Sequence, residues 1–307
     1  MLDAALLGTG GMMPLPGRFL SSLLLRWGGR LVMVDCGEGS QITLKLLGWG
    51  YKNLDAICFT HFHADHIAGL PGLLLTVGNS GRTEPIALIG PPGMGVVAKN
   101  LCIIAQDLPF EVHIIELPFE RGADPHRLKL GDFHISALSV DHRIPCFSYT
   151  FEFKRAGRFD TEKAKANNVP MRAWNRLQKY ETVIMEGNEY TPDMVLGPPR
   201  TPIKAAYCTD TRPVYELREF VKGSDLFVCE GLHGDLEMLA KTAAHKHMIF
   251  QEAAAIAKES GVLELWLTSF SPALVAPESF IGEAREIFPN TYAGKDRMSK
   301  TINYRDE

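Results

Sequence analysis

Short apolar runs rich in Val, Ile and Leu alternate with stretches of helical spacing along most of the chain. A strand turns successive side chains to opposite faces, whereas an amphipathic helix repeats its apolar positions every three to four residues, so the two patterns separate by period. Strand-like runs fall at 4–7, 21–25, 31–34, 56–59, 86–89, 112–116, 133–140, 147–153, 205–208, 226–229 and 263–267. Helical spacing falls at 39–47, 67–77, 94–105, 213–221, 249–260 and 277–287. Several consecutive strands have no helix between them, so a single doubly wound parallel sheet does not account for the order. The pattern predicts an α/β fold in which a mixed sheet, or two stacked sheets, are flanked by helices. The chain of 307 residues is expected to form one domain over 1–307.

One stretch breaks the rhythm. Between 154 and 179 lie Lys154, Arg155, Arg158, Lys163, Lys165, Arg172, Arg176 and Lys179 against only Asp160 and Glu162, in a chain whose net charge is -4. The basic charge is therefore concentrated, and 154–200 is expected to be an inserted, arm-like segment. Two readings are open for it: a solvated helical excursion, or an arm that grips phosphates. Trp174 is available to stack on a base or to pack the arm against itself. The acidic remainder gives no overall attraction for nucleic acid.

The other bulk properties narrow the class. No apolar run approaches the roughly 18 residues of a membrane span, and Met1-Leu2-Asp3-Ala4 lacks a basic leader region, so the expectation is a cytoplasmic protein with no membrane partner. Cys36, Cys58, Cys102, Cys146, Cys208 and Cys229 are scattered, form no CxxC pair and sit mostly in strand-like runs, which reads as reduced packing thiols.

The chemistry is concentrated at Thr60-His61-Phe62-His63-Ala64-Asp65-His66, between a strand-like run and a helix start. Open α/β sheets place their sites at the carboxyl ends of strands. Three imidazoles and a carboxylate crowded into six residues would repel or desolvate one another without a shared cation. Nitrogen and carboxylate donors suit zinc, with manganese or iron as alternatives. Further ligands are expected from the ends of later strands, where His142 and Asp210 stand. A carboxylate bridging two cations about 3.5–4 Å apart would let them clamp the attacking and leaving oxygens of a phosphodiester.

The HxHxDH segment identifies the metallo-β-lactamase superfamily, and its surroundings resemble the ribonuclease Z branch over nearly the whole chain. The resemblance is carried by Leu7-Gly8-Thr9-Gly10-Gly11, Ser21-Ser22, Asp35-Cys36-Gly37-Glu38-Gly39-Ser40-Gln41, and the run from Asp65 to Leu74. Farther on it is carried by Val140-Asp141-His142, Leu196-Gly197-Pro198-Pro199-Arg200 and Thr209-Asp210-Thr211-Arg212-Pro213. It implies an αβ/βα sandwich of two mixed sheets, two zinc ions, an endonuclease acting at the 3′ end of precursor tRNA, and a homodimer. By position, His61, His63 and His142 would hold one metal, Asp65 and His66 the other, and Asp210 would bridge. Asp65 would also orient the attacking water. His247 would help to protonate the leaving oxygen, with Glu230 orienting it.

Two departures qualify that picture. Where the family carries a histidine after a threonine, this chain reads Thr268-Ser269-Phe270-Ser271. A serine hydroxyl is a much poorer zinc ligand than imidazole, so one metal is secure and the second conditional; His233 and His245 are candidate substitutes. The arm's usual Gly-Pro step is Met171-Arg172 here, which keeps the charge and loses the turn chemistry. Alternative expectations are therefore a hydrolase of a small phosphodiester, cyclic nucleotide or thioester on the same fold, or an impaired metal- or RNA-binding homologue.

Overall fold

A computed structural model describes residues 1–305. The chain divides into two compact units, Met1–Glu152 with Lys204–Asn303, and Phe153–Ile203 with the chain from Tyr304. In chain order the strands are β1 (Leu2–Gly8), β2 (Ser22–Trp27), β3 (Arg30–Val34), β4 (Leu54–Cys58), β5 (Ile86–Gly90), β6 (Val112–Glu116), β7 (His126–Leu130), β8 (Phe133–Ser139), β9 (Phe147–Arg155), β10 (Val183–Met185), β11 (Asn188–Tyr190), β12 (Arg200–Cys208), β13 (Leu226–Glu230), β14 (Leu265–Thr268), β15 (Thr291–Ala293) and β16 (Ser299–Ile302).

The large unit is built on two seven-stranded sheets, ordered β16-β1-β2-β3-β4-β5-β6 and β15-β14-β13-β12-β9-β8-β7. Each is mixed. β16, β1, β2 and β3 pair antiparallel and β3 to β6 parallel, while β7, β8 and β9 pair antiparallel and β12 to β15 parallel. The central parallel strands β5 and β13 are buried at every residue, which is why β5 and the first four residues of β13 read as unbroken apolar runs. β7 (HRLKL) lies at a sheet edge with three charged or titratable residues in five, and β15 and β16 are three and four residues long, so apolar periodicity did not predict them.

Helices cover each sheet. Ser40–Leu47, Leu70–Asn79 and Met94–Leu101 bury Leu44, Leu70, Leu73, Val77 and Met94 against the first. Tyr215–Phe220, Phe250–Glu259 and Ile281–Ile287 bury Leu217, Phe250, Ile256 and Ala284 against the second. The helix expected at 67–77 is instead two, Ala64–Ile67 and Leu70–Asn79. Close packing causes the break: Gly69 N donates to Cys36 O at 3.0 Å, and a Cβ on Gly69 would lie 2.2 Å from Gly37 O. All six cysteines are free thiols, and five of them are buried.

The smaller unit has its own core of Ala164, Val169, Ala173, Leu177, Val183 and Val195. Asp160 caps helix Thr161–Ala166 by accepting from Lys163 N at 2.9 Å. Helix Met171–Gln178 follows, and β10 and β11 form a hairpin. Trp174 donates from Nε1 to Val169 O at 2.9 Å and lies with its ring 5.0 Å from that of Phe159, so it packs this unit against itself and is not free to stack on a base. Arg172 pairs with Glu186, and Arg176 with Glu181 at 2.8 Å, so acids beyond position 179 offset part of the basic charge.

Candidate metal centre

The carboxyl ends of β3, β4, β8, β12, β13 and β14 are followed by Asp35, Thr60–His66, His142, Asp210, the terminal Glu230 and Ser269. One edge of the sandwich thus collects side chains that lie far apart in sequence. His61 Nε2, His63 Nδ1, His142 Nε2 and a carboxylate oxygen of Asp210 lie within 4.8 Å of one another. The closest approaches are 2.9 Å for His61 to His63, 3.2 Å for His142 to His63, 3.4 Å for His61 to Asp210 Oδ2 and 3.8 Å for His142 to Asp210 Oδ2.

These separations fit a shared cation. With metal–nitrogen bonds of about 2.0–2.1 Å, a tetrahedral site has edges of about 3.3 Å, which the four distances bracket. Protonation states agree. Burial holds His61 down to about 3 and His142 down to about 4, and it lowers His63, so these imidazoles present lone pairs and not charges. The outer nitrogens of His61 and His142 are fixed as well. His61 Nδ1 meets Thr60 Oγ1 at 3.0 Å, and His142 Nδ1 donates to Lys246 O at 3.3 Å.

Asp210 faces two ways. Its Oδ2 looks to His61 and His142, while Oδ1 is 3.5 Å from His66 Nε2. Asp65 Oδ2 lies 3.6 Å from His66 Nε2 and accepts from Met12 N at 2.7 Å. Burial opposes a charged His66, yet Asp210 and Asp35 together outweigh it and raise its pKa well above the ordinary imidazole value. Burial likewise opposes a charged Asp210, and His66 with the neighbouring imidazoles outweighs it to hold the carboxylate ionised.

At the position of the missing histidine, Ser269 is buried in the left-handed region at φ 57. Ser21 Oγ donates to Gly10 O at 3.0 Å, so the 2.8 Å contact between Ser21 Oγ and Ser269 Oγ takes the serine 269 proton. His245 contacts Arg143, and His233 bridges to Ile249 through its backbone; among the described residues, neither joins the convergent donors. On the other flank, Asp210, Glu230 and His247 form a second convergent group. His247 Nδ1 is 2.9 Å from Glu230 Oε2 and 3.9 Å from Asp210 Oδ2. Burial of Glu230 raises its pKa to about 7; burial disfavours the His247 cation, but Glu230 and Asp210 outweigh it and raise it to about 9.

Residue patterns did not single out Asp35 or Thr60 for a role. Asp35 is fully buried and accepts from Thr60 N at 2.8 Å, from Thr60 Oγ1, and from His66 Nδ1 at 2.8 Å. It thereby orients His66 directly and His61 through Thr60. The available signal was a carboxylate placed directly after an apolar strand, where burial demands partners.

The architecture has known counterparts. A family model described as "Anti-Pycsar protein Apyc1" matches residues 2–94. The fold is shared with human tRNase Z, short form, at a TM-score of 0.70 and 22% identity over 98% of this chain and 99% of that one. It is also shared with the metallo-beta-lactamase fold protein YhfI from Bacillus subtilis, at a TM-score of 0.67 and 19% identity over 97% of this chain. Ribonuclease Z of Clostridium kluyveri is 53% identical over 306 residues, spanning 100% of both chains. With that identity along its full length, and with two mixed sheets delivering a histidine and aspartate cluster at one edge, the chain belongs to the ribonuclease Z family.

Proposed function

We propose that the protein is a metal-dependent endoribonuclease that hydrolyses a phosphodiester at the 3′ end of precursor tRNA. The observation that carries this reading is the convergence of His61, His63, His142 and Asp210 at tetrahedral spacing. These four would hold the tight metal, zinc by donor chemistry. A second, weaker cation would lie between Asp65, His66 and Asp210, where Ser269 replaces an imidazole and oxygen donors favour manganese more than at the first position. Bound cations would lower the pKa of a water and neutralise the phosphate charge.

The chain's own groups divide the remaining work. Asp65 orients the attacking water and takes its proton. As the water oxygen bonds to phosphorus, one bridging P–O bond breaks and its oxygen leaves with the electron pair. His247, held on Glu230 through Nδ1, gives that oxygen a proton from Nε2. The cations of 154–200 would contact the tRNA backbone. A homodimer is favoured by apolar side chains left exposed on the helices over the first sheet and in the turn after them: Ile42 (49%), Leu46 (59%), Val96 (66%) and Ile104 (74%).

Cleavage of a precursor tRNA by the purified protein, with and without a chelator, is the deciding experiment. Zinc or manganese should restore activity after chelation, and His63→Ala and Asp65→Ala should abolish it. Hydrolysis of bis(p-nitrophenyl) phosphate with no cleavage of precursor tRNA would overturn the substrate assignment.

A further inference from the structure

His247 stands in the turn between helices Leu239–Ala244 and Phe250–Glu259, where Glu230 holds only its ring. Its backbone is held by a different residue. Arg212 Nη1 donates to His247 O, and the same guanidinium grips Glu252 through two nitrogens, Nη1 to Oε2 at 2.9 Å and Nη2 to Oε1. Glu252 in turn accepts from Ile249 N at 3.1 Å, closing the first turn of the helix that follows His247. Arg212 is therefore bonded to the histidine's carbonyl directly and, through Glu252, to Ile249 two residues on.

The other end of Arg212 is equally fixed. Its N donates to Asp141 O at 3.0 Å, and the neighbouring Thr211 accepts from Asp141 N at 2.9 Å and donates from its own N to Glu230 Oε1 at 2.6 Å. Arg212 thus links the loops bearing His142 and Asp210 through its backbone and the loop bearing His247 through its side chain. A planar guanidinium has the donors for a carboxylate fork and a carbonyl at once, whereas lysine presents a single point charge.

We propose that Arg212 is the positioning residue for leaving-group protonation: clamped on Glu252, it holds the His247 backbone so that the imidazole stays on Glu230 with Nε2 turned to the departing oxygen. This rests on the reading of His247 as proton donor. The step itself is the one given above, in which the bridging P–O bond breaks, the leaving oxygen keeps the electron pair, and Nε2–H supplies its proton. Arg212 takes no part in bond changes.

The test compares metal-loaded wild type, His247→Ala, Arg212→Met, Arg212→Lys and Glu252→Gln on one precursor tRNA carrying either oxygen or sulfur at the leaving bridging position. A thiolate departs without protonation. His247→Ala and Arg212→Met should each slow the oxygen substrate by about 100-fold in kcat and the sulfur substrate by less than about threefold, since general acid catalysis contributes about 10²–10⁴-fold. Arg212→Lys should recover part of the loss. The double variant Arg212→Met/His247→Ala should be no slower than His247→Ala, because both changes remove one function. Metal content should stay at the wild-type value throughout.

If His247→Ala slows both substrates alike, the proton-donor reading falls and this inference with it. If His247→Ala spares the sulfur substrate and Arg212→Met does not, only the Arg212 inference falls. It also falls if Arg212→Met slows neither substrate or loses metal. Should Arg212→Met fail to fold, Arg212→Lys and Glu252→Gln carry the comparison, and equal loss on both substrates overturns it.

Discussion

Asp35→Asn isolates what a buried carboxylate contributes to a metal centre it does not touch. In the native protein Asp35 Oδ1 accepts from Thr60 N at 2.8 Å and Oδ2 accepts from His66 Nδ1 at 2.8 Å. An amide keeps one oxygen, which stays on the backbone donor, and turns an NH₂ toward His66. An NH₂ only donates, so His66 Nδ1 must become the acceptor and the ring keeps its proton on Nε2, the nitrogen 3.5 Å from Asp210 and 3.6 Å from Asp65. An Nε2–H cannot ligate a cation. Restoring the ligating tautomer would set two donors face to face inside the protein, at about 1–3 kcal/mol. Loss of such an outer partner lowers metal affinity by about 10–100-fold, in the same range. His61 should suffer less, since it depends on Asp35 only through Thr60 Oγ1. Thr60→Val should invert the pattern by removing the acceptor 3.0 Å from His61 Nδ1 while leaving the 2.8 Å contact of His66 intact. Calorimetric zinc titration of chelator-stripped protein reads both effects, with thermal melts confirming the fold. Equal weakening of both binding events in both variants, or none in Asp35→Asn, would refute the reasoning.

Ser269→His should tighten the second metal by at least about tenfold, measured as zinc retained after dialysis, because it restores an imidazole at the position where the family resemblance expects one; histidine tolerates the positive φ better than most residues. Gly69→Ala should cost about 1–3 kcal/mol in chemical denaturation, since its Cβ would press into Gly37 O. An unchanged midpoint would show that the Cys36–Gly69 contact is not tight. Replacing Arg172, Arg176 and Lys179 together by Gln should weaken precursor tRNA binding and reduce its salt slope by roughly one unit per lost phosphate contact, with hydrolysis of bis(p-nitrophenyl) phosphate unchanged.

How much of this was legible in the sequence depended on the distance between partners. His61, His63, Asp65 and His66 announce themselves because four donors fall within six residues, and β5 and 226–229 of β13 because burial on both faces leaves no polar position. Asp35 is 25 residues from Thr60 and 31 from His66, and Arg212 is 40 from Glu252, so no local period links them. Their roles follow from which strand ends the sheets bring together. Trp174 illustrates the converse. The basic segment invited a base-stacking role, but Val169 O and the Phe159 ring already use the indole. A charge count stopped at 179 omits Glu181 and Glu186, which fold back onto Arg176 and Arg172 and offset part of the basic charge.

The two halves of the centre differ in kind. On one side three imidazoles, kept neutral by burial, share one carboxylate oxygen, a donor set that favours zinc over harder ions. On the other a single imidazole sits among Asp65, Asp210 and Asp35, and the serine in place of a second nitrogen is already engaged with Ser21. Attraction there comes from charge more than from nitrogen lone pairs, which relaxes selectivity toward oxygen-preferring cations and speeds exchange. Asp65 is also tethered to the Met12 amide, which fixes the carboxylate proposed above to orient the water. On the function proposed above, such a centre would depend on its first metal for affinity and on Asp65 for alignment, and the serine at 269 would alter which cation completes it without dismantling the geometry at His61, His63 and His142.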